Sequence, residues 1–138
     1  MYLGRSKEAA LAEVLMRDPS QDEIMWSDAE TRRFATFAAR DSLVLAMVHG
    51  AGLAYHRVEQ SDVVAADYAV PQRISAHIHT LRGFDGLQYR SRFDSDELCV
   101  ALFDRAAPKV ELLMEGEKLD RAYVRGFLSD RGKRLADL

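Results

Sequence analysis

Two short apolar runs, separated by a segment of helical periodicity, constrain the fold of this chain more than any other feature. The segments "SLVLAMV" (42–48) and "LCVALF" (98–103) have the length of strands and carry no charge. Between them, "PQRISAHIHTL" (71–81) repeats isoleucine and leucine at helical spacing behind a proline that suits a first helical turn. Short strands that alternate with helices predict a mixed α/β domain.

The remaining segments extend this pattern. Ser6 is a good N-cap for a run of alanine and leucine that Asp18-Pro19 closes, so a helix is predicted between them. A second helix is predicted from Ser27 or Asp28 through Phe34 and Phe37 to Ala38. Further strands are predicted at 2–4, 87–89 and 110–114, and further helices at 61–66 and 121–128.

Length and composition fit one globular domain over residues 1–138. The chain is 48% hydrophobic and 30% charged, and its net charge of −3 argues against general nucleic-acid binding. The sequence contains no apolar run near the ~18 residues that cross a bilayer and no secretory signal. Its single cysteine, Cys99, allows no internal disulfide. We therefore expect a cytoplasmic protein without a membrane partner.

Metal sites and phosphate loops are not expected. His77 and His79 lie two apart on a predicted helix and so face different sides, and no cysteine pair or His-Glu motif stands nearby. No glycine-rich phosphate loop is present. Cys99 lies within an apolar strand, where a small buried hydrophobe is expected.

Two residues near the N-terminus are candidates for a site. Glu13 stands among alanine and leucine on the apolar side of the first predicted helix, where a carboxylate could face a pocket. The alternative is a carboxylate at the margin of the apolar stripe. Tyr2, at the end of a predicted strand, could stack on a ring or belong to the core.

The trio Arg90-Ser91-Arg92 is a third candidate. Two guanidinium groups that flank a hydroxyl could hold a phosphate. Alternation of arginine and serine is equally typical of the solvent face of an edge strand. Spacing alone leaves both interpretations open and favours the edge strand.

Two signatures resemble the RES domain family. "FDGLQYRSRFDSDELCVALFD" (84–104) is similar to its C-terminal signature, in which an Asp-Gly turn and a strand lead to a serine. "YLGRSKEAALAEVL" (2–15) is similar to its earlier signature, a Tyr-Leu strand end followed by a helix with a glutamate, and "YAVPQRISAHI" (68–78) is similar to the intervening helix. Carried over by position, the family's tyrosine, glutamate and serine fall on Tyr2, Glu13 and Ser91.

One family residue has no counterpart here. The family's arginine lies on a strand upstream of its tyrosine, and no residue of this sequence matches it. Arg5 lies after the tyrosine and does not take over the role. We therefore expect either a chain that is truncated at the N-terminus relative to the family or a degenerate copy.

The resemblance implies a fold and a function. The fold would be compact, similar to ADP-ribosyltransferases, with short strands around a central NAD cleft. The protein would be the toxin of a toxin–antitoxin pair, an NAD+ phosphorylase or glycohydrolase that cleaves the nicotinamide–ribose bond by glycosyl transfer. NAD+ would be the substrate, with inorganic phosphate as a candidate co-substrate. The partner would be a helix-turn-helix antitoxin of the Xre type, in an oligomer, without direct nucleic-acid contact by this chain.

Each candidate residue then has an expected role. Glu13 would stabilise the positive charge that develops on the ribose. Ser91 would bind a phosphate or the nucleophile, and Arg92 would offset phosphate charge, with Arg90 undecided. Tyr2 would pack against the nicotinamide or the ribose. The alternatives are a RES-like module that binds NAD or a partner without turnover, and an unrelated α/β interaction domain.

Overall fold

Helices and strands are interspersed along residues 1–137, the part of the chain that a computed structural model describes. Helices account for 36% of the residues and strands for 28%, so the predicted mixed α/β class is confirmed. The helices are α1 Lys7–Leu15, α2 Trp26–Ala29, α3 Ala51–Tyr55, α4 Gln60–Val63, α5 Ala69–Thr80 and α6 Arg121–Ser129, with a 3₁₀ helix at Asp104–Lys109. The strands are β1 Tyr2–Gly4, β2 Glu23–Met25, β3 Arg33–Ala39, β4 Leu45–Met47, β5 Gly86–Arg90, β6 Leu98–Leu102, β7 Val110–Lys118 and β8 Arg134–Ala136.

A four-stranded sheet in the order β1-β6-β5-β4 forms the centre of the fold. The strands β1, β6 and β5 pair antiparallel, and β4 runs parallel to β5. Two further pairs lie outside this sheet: β3 with β7, antiparallel, and β2 with β8, parallel. β5 is a central strand, between β6 and β4, and the loop 91–97 connects it to β6.

The two faces of the central sheet are covered by different elements. Leu87 and Ala101 are direct cross-strand partners, and they pack with Ile78 of α5 in one buried cluster. The neighbouring positions Val100 and Leu102 point to the other face, because side chains alternate along a strand, and they pack against the 3₁₀ helix. The α5 face is the one that carries the site described below.

A third cluster joins the two ends of the chain. Leu11 and Leu15 of α1 pack with Phe127 and Leu128 of α6 and with Leu135 of β8. Ser6 caps α1, because its hydroxyl accepts a hydrogen bond from the Ala9 amide over 3.0 Å. This packing fixes α1 beside β1 and the central sheet.

The predicted second helix is wrong over most of its length. A helix is present only at Trp26–Ala29, and Arg33–Ala39 is a strand paired with β7. Its register shifts on both sides of Thr36, so that Phe34 and Phe37 are partly buried while the two residues between them are exposed. A bulged strand therefore shows the three-residue spacing that normally indicates a helix.

Most other predicted elements are confirmed. The first helix, the helix that contains Pro71, the short helix after residue 60 and the last helix are all present, as are the strands at 2–4, 87–89, 98–103 and 110–114. Only Leu45–Met47 of the apolar run 42–48 is a strand. The short elements β2, α3 and β8 were not predicted. Among the described residues, no helix is long and apolar enough to cross a membrane.

Candidate functional site

A cleft of about 890 Å³ opens on the α5 face of the central sheet. Its floor is formed by β1, β5 and β6, and its walls by α1, α5 and the loop 91–97 that joins β5 to β6. Small-molecule sites typically measure about 300–1,000 Å³, so this cleft can hold a ligand as large as a dinucleotide.

Glu13 contributes the only carboxylate among the described lining residues of the cleft. It lies in the second turn of α1, whose buried residues Ala9 and Ala12 face the core, and its side chain is partly buried. Its Oε1 accepts a hydrogen bond from the Cys99 thiol over 3.3 Å. Among residues 1–137, no lysine or arginine forms an ion pair with this carboxylate. The carboxylate is therefore available to a positively charged ligand group.

The floor beneath Glu13 holds two neutral donors. Burial raises the pKa of the Cys99 thiol to about 12, and the negative charge of Glu13 adds to the shift. Burial also raises the pKa of the Tyr89 phenol, which is opposite Cys99 on the neighbouring strand. Both groups keep their protons at neutral pH. The buried position expected for Cys99 is confirmed, and the thiol also lines the cleft.

Arginine dominates the charge of the cleft. Arg17, Arg90 and Arg92 all line it, against the single carboxylate of Glu13 among the described residues. The Arg17 Nε donates to the Glu13 carbonyl oxygen over 3.0 Å, and Arg90 Nη1 donates to the Ser95 carbonyl oxygen over 2.9 Å. Three guanidinium groups give the cleft a positive potential that suits an anionic ligand.

Ser91 is the first residue of the 91–97 loop. It is 1% exposed and is not part of the described cleft lining. Its hydroxyl accepts hydrogen bonds from the Phe93 amide over 3.1 Å and from the Asp94 amide over 3.4 Å. Its own amide donates to the Glu97 carbonyl oxygen over 2.8 Å and closes the base of the loop. The solvent-exposed edge interpretation of Ser91 is therefore wrong, because the residue is buried and β5 is a central strand.

The structure brings Tyr2, Glu13 and Arg92 into one cleft. Tyr2 is 79% exposed, and Arg92 lies over the ring of Phe93 with its guanidinium carbon 5.4 Å from the ring centroid. Ser91 precedes Arg92 in the chain, and its hydroxyl holds the turn that carries Arg92. The roles of these residues in catalysis and binding stay predictions.

Sequence reasoning missed several lining residues. Arg17 carried a usable signal, since it follows Glu13 by four positions, although α1 itself ends at Leu15. Tyr68 and Phe103 had none, because they reach the cleft from the start of α5 and the end of β6 through the packing of distant segments. Among the described residues, no group of three or more metal-ligating side chains is placed to hold a metal ion.

The opposite face of β5 carries a chain of polar side chains that runs from the exposed Arg5 to the buried His49. Arg5 Nη1 donates to Gln88 Oε1 over 3.0 Å, which leaves the Gln88 amide nitrogen to donate to His49 Nε2 over 3.1 Å. The imidazole therefore accepts at Nε2 and carries its proton on Nδ1. Burial lowers the pKa of His49, and the positive charge of Arg90 lowers it further.

Comparison with protein-family models gives a match to the RES domain over residues 1–123, most of the 138-residue chain. Comparisons with curated proteins and with solved structures gave no significant match. RES domains are modules of toxin–antitoxin systems and are associated with NAD+ as a substrate. The matched range includes both signatures and every element that lines the cleft. The chain belongs to the RES domain family.

Proposed function

We propose that this protein is the toxin of a toxin–antitoxin pair and degrades NAD+ by cleaving its nicotinamide–ribose bond. The observation that carries the proposal is the single cleft that Glu13 shares with Tyr2 and Arg92. A carboxylate that forms no ion pair within residues 1–137, beside several arginines, suits a ligand that joins a cationic ring to a pyrophosphate.

Glu13 acts on the reacting end of the substrate in this proposal. When the bond between the ribose carbon and the nicotinamide nitrogen breaks, its electron pair leaves with the nicotinamide and positive charge develops on the ribose. The Glu13 carboxylate stabilises that charge, and the thiol of Cys99 orients the carboxylate through the bond to Oε1. A phosphate or water oxygen then bonds to the ribose carbon, and the water route also releases a proton.

The arginines act on the anionic part of the substrate. Arg92 approaches the cleft from the 91–97 loop and Arg17 from the segment just after α1, so that they can bind the pyrophosphate from two sides. Tyr2 packs against the nicotinamide or the ribose. Ser91 contributes by holding the turn that presents Arg92, as its two accepted amide hydrogen bonds support.

The proposed partner is a helix-turn-helix antitoxin of the Xre type that covers the cleft. Tyr2 and Tyr68 both line the cleft and are 79% and 64% exposed. Exposed tyrosines at a cleft supply the aromatic surface that protein interfaces favour. DNA contact belongs to the antitoxin, since the chain itself has a net charge of −3.

Nicotinamide release from NAD+ by the purified protein, with and without inorganic phosphate, tests this function. Glu13→Gln keeps the shape of the side chain and removes its charge, so kcat should fall by about 100-fold or more. Glu115→Gln is the matched control, because Glu115 is an exposed residue of β7, a strand outside the central sheet, and is not among the described lining residues. A Glu13→Gln protein as active as the parent would contradict the proposal.

A second candidate function is a RES-like module that binds NAD+ without turnover. It is favoured by one observation: the signature serine, Ser91, is 1% exposed and lies outside the described lining of the cleft. Calorimetric titration with NAD+ separates the two candidates. Saturable binding without nicotinamide release supports the binding module, and release at substoichiometric enzyme supports the toxin.

A further inference from the structure

Arg131, two residues beyond α6, reaches the loop that forms one wall of the cleft. Its Nε lies 2.7 Å from Asp94 Oδ2, and its Nη2 lies 3.5 Å from Glu97 Oε1. Both carboxylates belong to the 91–97 loop, near its middle and at its end. One guanidinium group therefore bridges two points of the same loop.

This bridge is shielded from solvent. The side chains of Arg131, Asp94 and Glu97 are 18%, 14% and 20% exposed, whereas the Arg134–Glu23 pair on the surface is 79% and 41% exposed. Low exposure reduces the screening that makes most surface pairs weak. The bridge is thus placed to hold the loop more firmly than a surface pair would.

The Arg131 side chain is itself fixed by α6. Its Nη1 donates to the Phe127 carbonyl oxygen over 3.0 Å, and its guanidinium carbon lies 3.9 Å from the centroid of the Phe127 ring. Phe127 is buried in the core cluster that joins α1 and α6. Arg131 therefore links the 91–97 loop to Phe127, a residue of the hydrophobic core.

Within the loop, Asp94 is the residue on which the other contacts converge. Its Oδ1 accepts from the Asp96 amide over 3.1 Å, its carbonyl oxygen accepts from the Glu97 amide over 3.0 Å, and its own amide donates to Ser91. Arg92 and Phe93, which line the cleft, stand between Ser91 and Asp94. Fixing Asp94 fixes the segment that carries both lining residues.

We propose that Arg131 is a positioning residue that holds the 91–97 loop, and with it Arg92 and Phe93, in the conformation that lines the cleft. Arg131 lies outside residues 1–123, the range that matches the RES domain. The C-terminal segment of this chain thus contributes to the shape of the site from outside the family region. Its effect on NAD+ turnover rests on the proposed function, whereas its effect on the loop does not.

Amide hydrogen exchange of Arg131→Met tests the positioning role directly. Exchange at Phe93, Asp96 and Glu97 should become about tenfold faster, because the charge-assisted bonds that fix Asp94 are lost. Arg125→Met is the matched control, since Arg125 is an exposed arginine of α6 that reaches only Asp137, at 3.7 Å, among the described ion pairs. Unchanged exchange in Arg131→Met would overturn the proposal.

Kinetics provide the second readout. Arg131→Met should raise the KM for NAD+ about tenfold and leave kcat within about twofold, because Arg92 is proposed to bind the pyrophosphate, at a distance from the breaking bond. Arg131→Lys keeps the charge and should recover part of the lost affinity. A fall in kcat without a rise in KM would count against the positioning role.

Two further outcomes keep the test decisive. Should Arg131→Met fail to fold, Asp94→Asn removes the charge partner on the loop side and should give the same faster exchange at Asp96 and Glu97. A parent protein that does not cleave NAD+ would refute the proposed function alone, since faster loop exchange in Arg131→Met would still support the positioning role.

Discussion

The thiol of Cys99 donates a hydrogen bond to Oε1 of Glu13 across 3.3 Å. Cys99 belongs to the floor of the cleft and Glu13 to its wall, so the bond fixes the carboxylate from below. The bond joins β6 to α1, residues that are far apart in sequence. A thiol can donate in this way only while it is protonated. Burial and the Glu13 charge maintain that state by raising the pKa of Cys99 to about 12.

Cys99 should consequently resist alkylation in the folded protein. Only the thiolate reacts, and a pKa of about 12 leaves a far smaller thiolate fraction at pH 8 than the ordinary value of about 8.5. Iodoacetamide should label the folded protein at least ~100-fold more slowly than the protein in urea, as followed by mass spectrometry. Equal labelling rates in the two states would show that the thiol is neither buried nor bonded to Glu13.

Ser91→Ala separates a structural role from a chemical one. Removing the hydroxyl leaves the Phe93 and Asp94 amides without their acceptor, which should lower the free energy of unfolding by about 1–2 kcal/mol in urea titrations. NAD+ turnover should then fall mainly through a raised KM, because the turn that presents Arg92 loosens. Complete loss of kcat at unchanged stability would instead assign the hydroxyl to the reaction.

Gly86→Ala should prevent stable folding. A Cβ at this position would lie 2.1 Å from the Ala101 carbonyl oxygen, which belongs to the backbone of the neighbouring strand and has no room to move. We expect a loss of more than ~3 kcal/mol in the free energy of unfolding, measured by urea or thermal denaturation.

Gly126→Ala is the matched control for this substitution. Gly126 lies within α6, and a Cβ there meets no atom within 4 Å. Alanine loses less backbone freedom than glycine on entering a helix, so this variant should gain about 0.5–1 kcal/mol. Similar stability changes in the two variants would contradict the close approach at Gly86.

His49 should make stability depend on pH. Its pKa in the folded protein is lowered, first by burial and then by Arg90, so the unfolded chain binds more protons in the window below about 6.5. The free energy of unfolding should therefore fall as the pH drops through this window. In His49→Gln, urea titrations at pH 7.5 and 5.5 should differ less than in the parent. A variant with the slope of the parent would rule out this origin.

The sequence predicted the central elements well because their signals are local. Ser6 caps α1 with its own side chain, and the apolar run at 98–103 has the length and composition of a buried strand. The ribbon of β3 and β7 depends on a partner more than 70 residues away and on a bulge at Thr36, neither of which leaves a local pattern. The three-residue spacing of Phe34 and Phe37 therefore led to the wrong prediction of a helix.

The site, like the fold, was predictable from the sequence only where its signals are local. Glu13, Tyr2 and Arg92 were found as residues of unusual placement or through the family signatures, and the structure gathers them in one cleft. The burial of Ser91 was not predictable from spacing, because it follows from the loop that folds over it. Arg131 was missed for a related reason: its partners, Asp94 and Glu97, are more than 30 residues away.

The parallel pairing of β2 with β8 can form only after β8 has been synthesised. Ile24 lies opposite Leu135, so residues made early wait for a partner that leaves the ribosome more than 100 residues later. The core cluster of Leu11 and Phe127 is subject to the same delay. A nascent chain thus holds α1, and the carboxylate it carries, without its final support until Phe127 and Leu135 have left the ribosome.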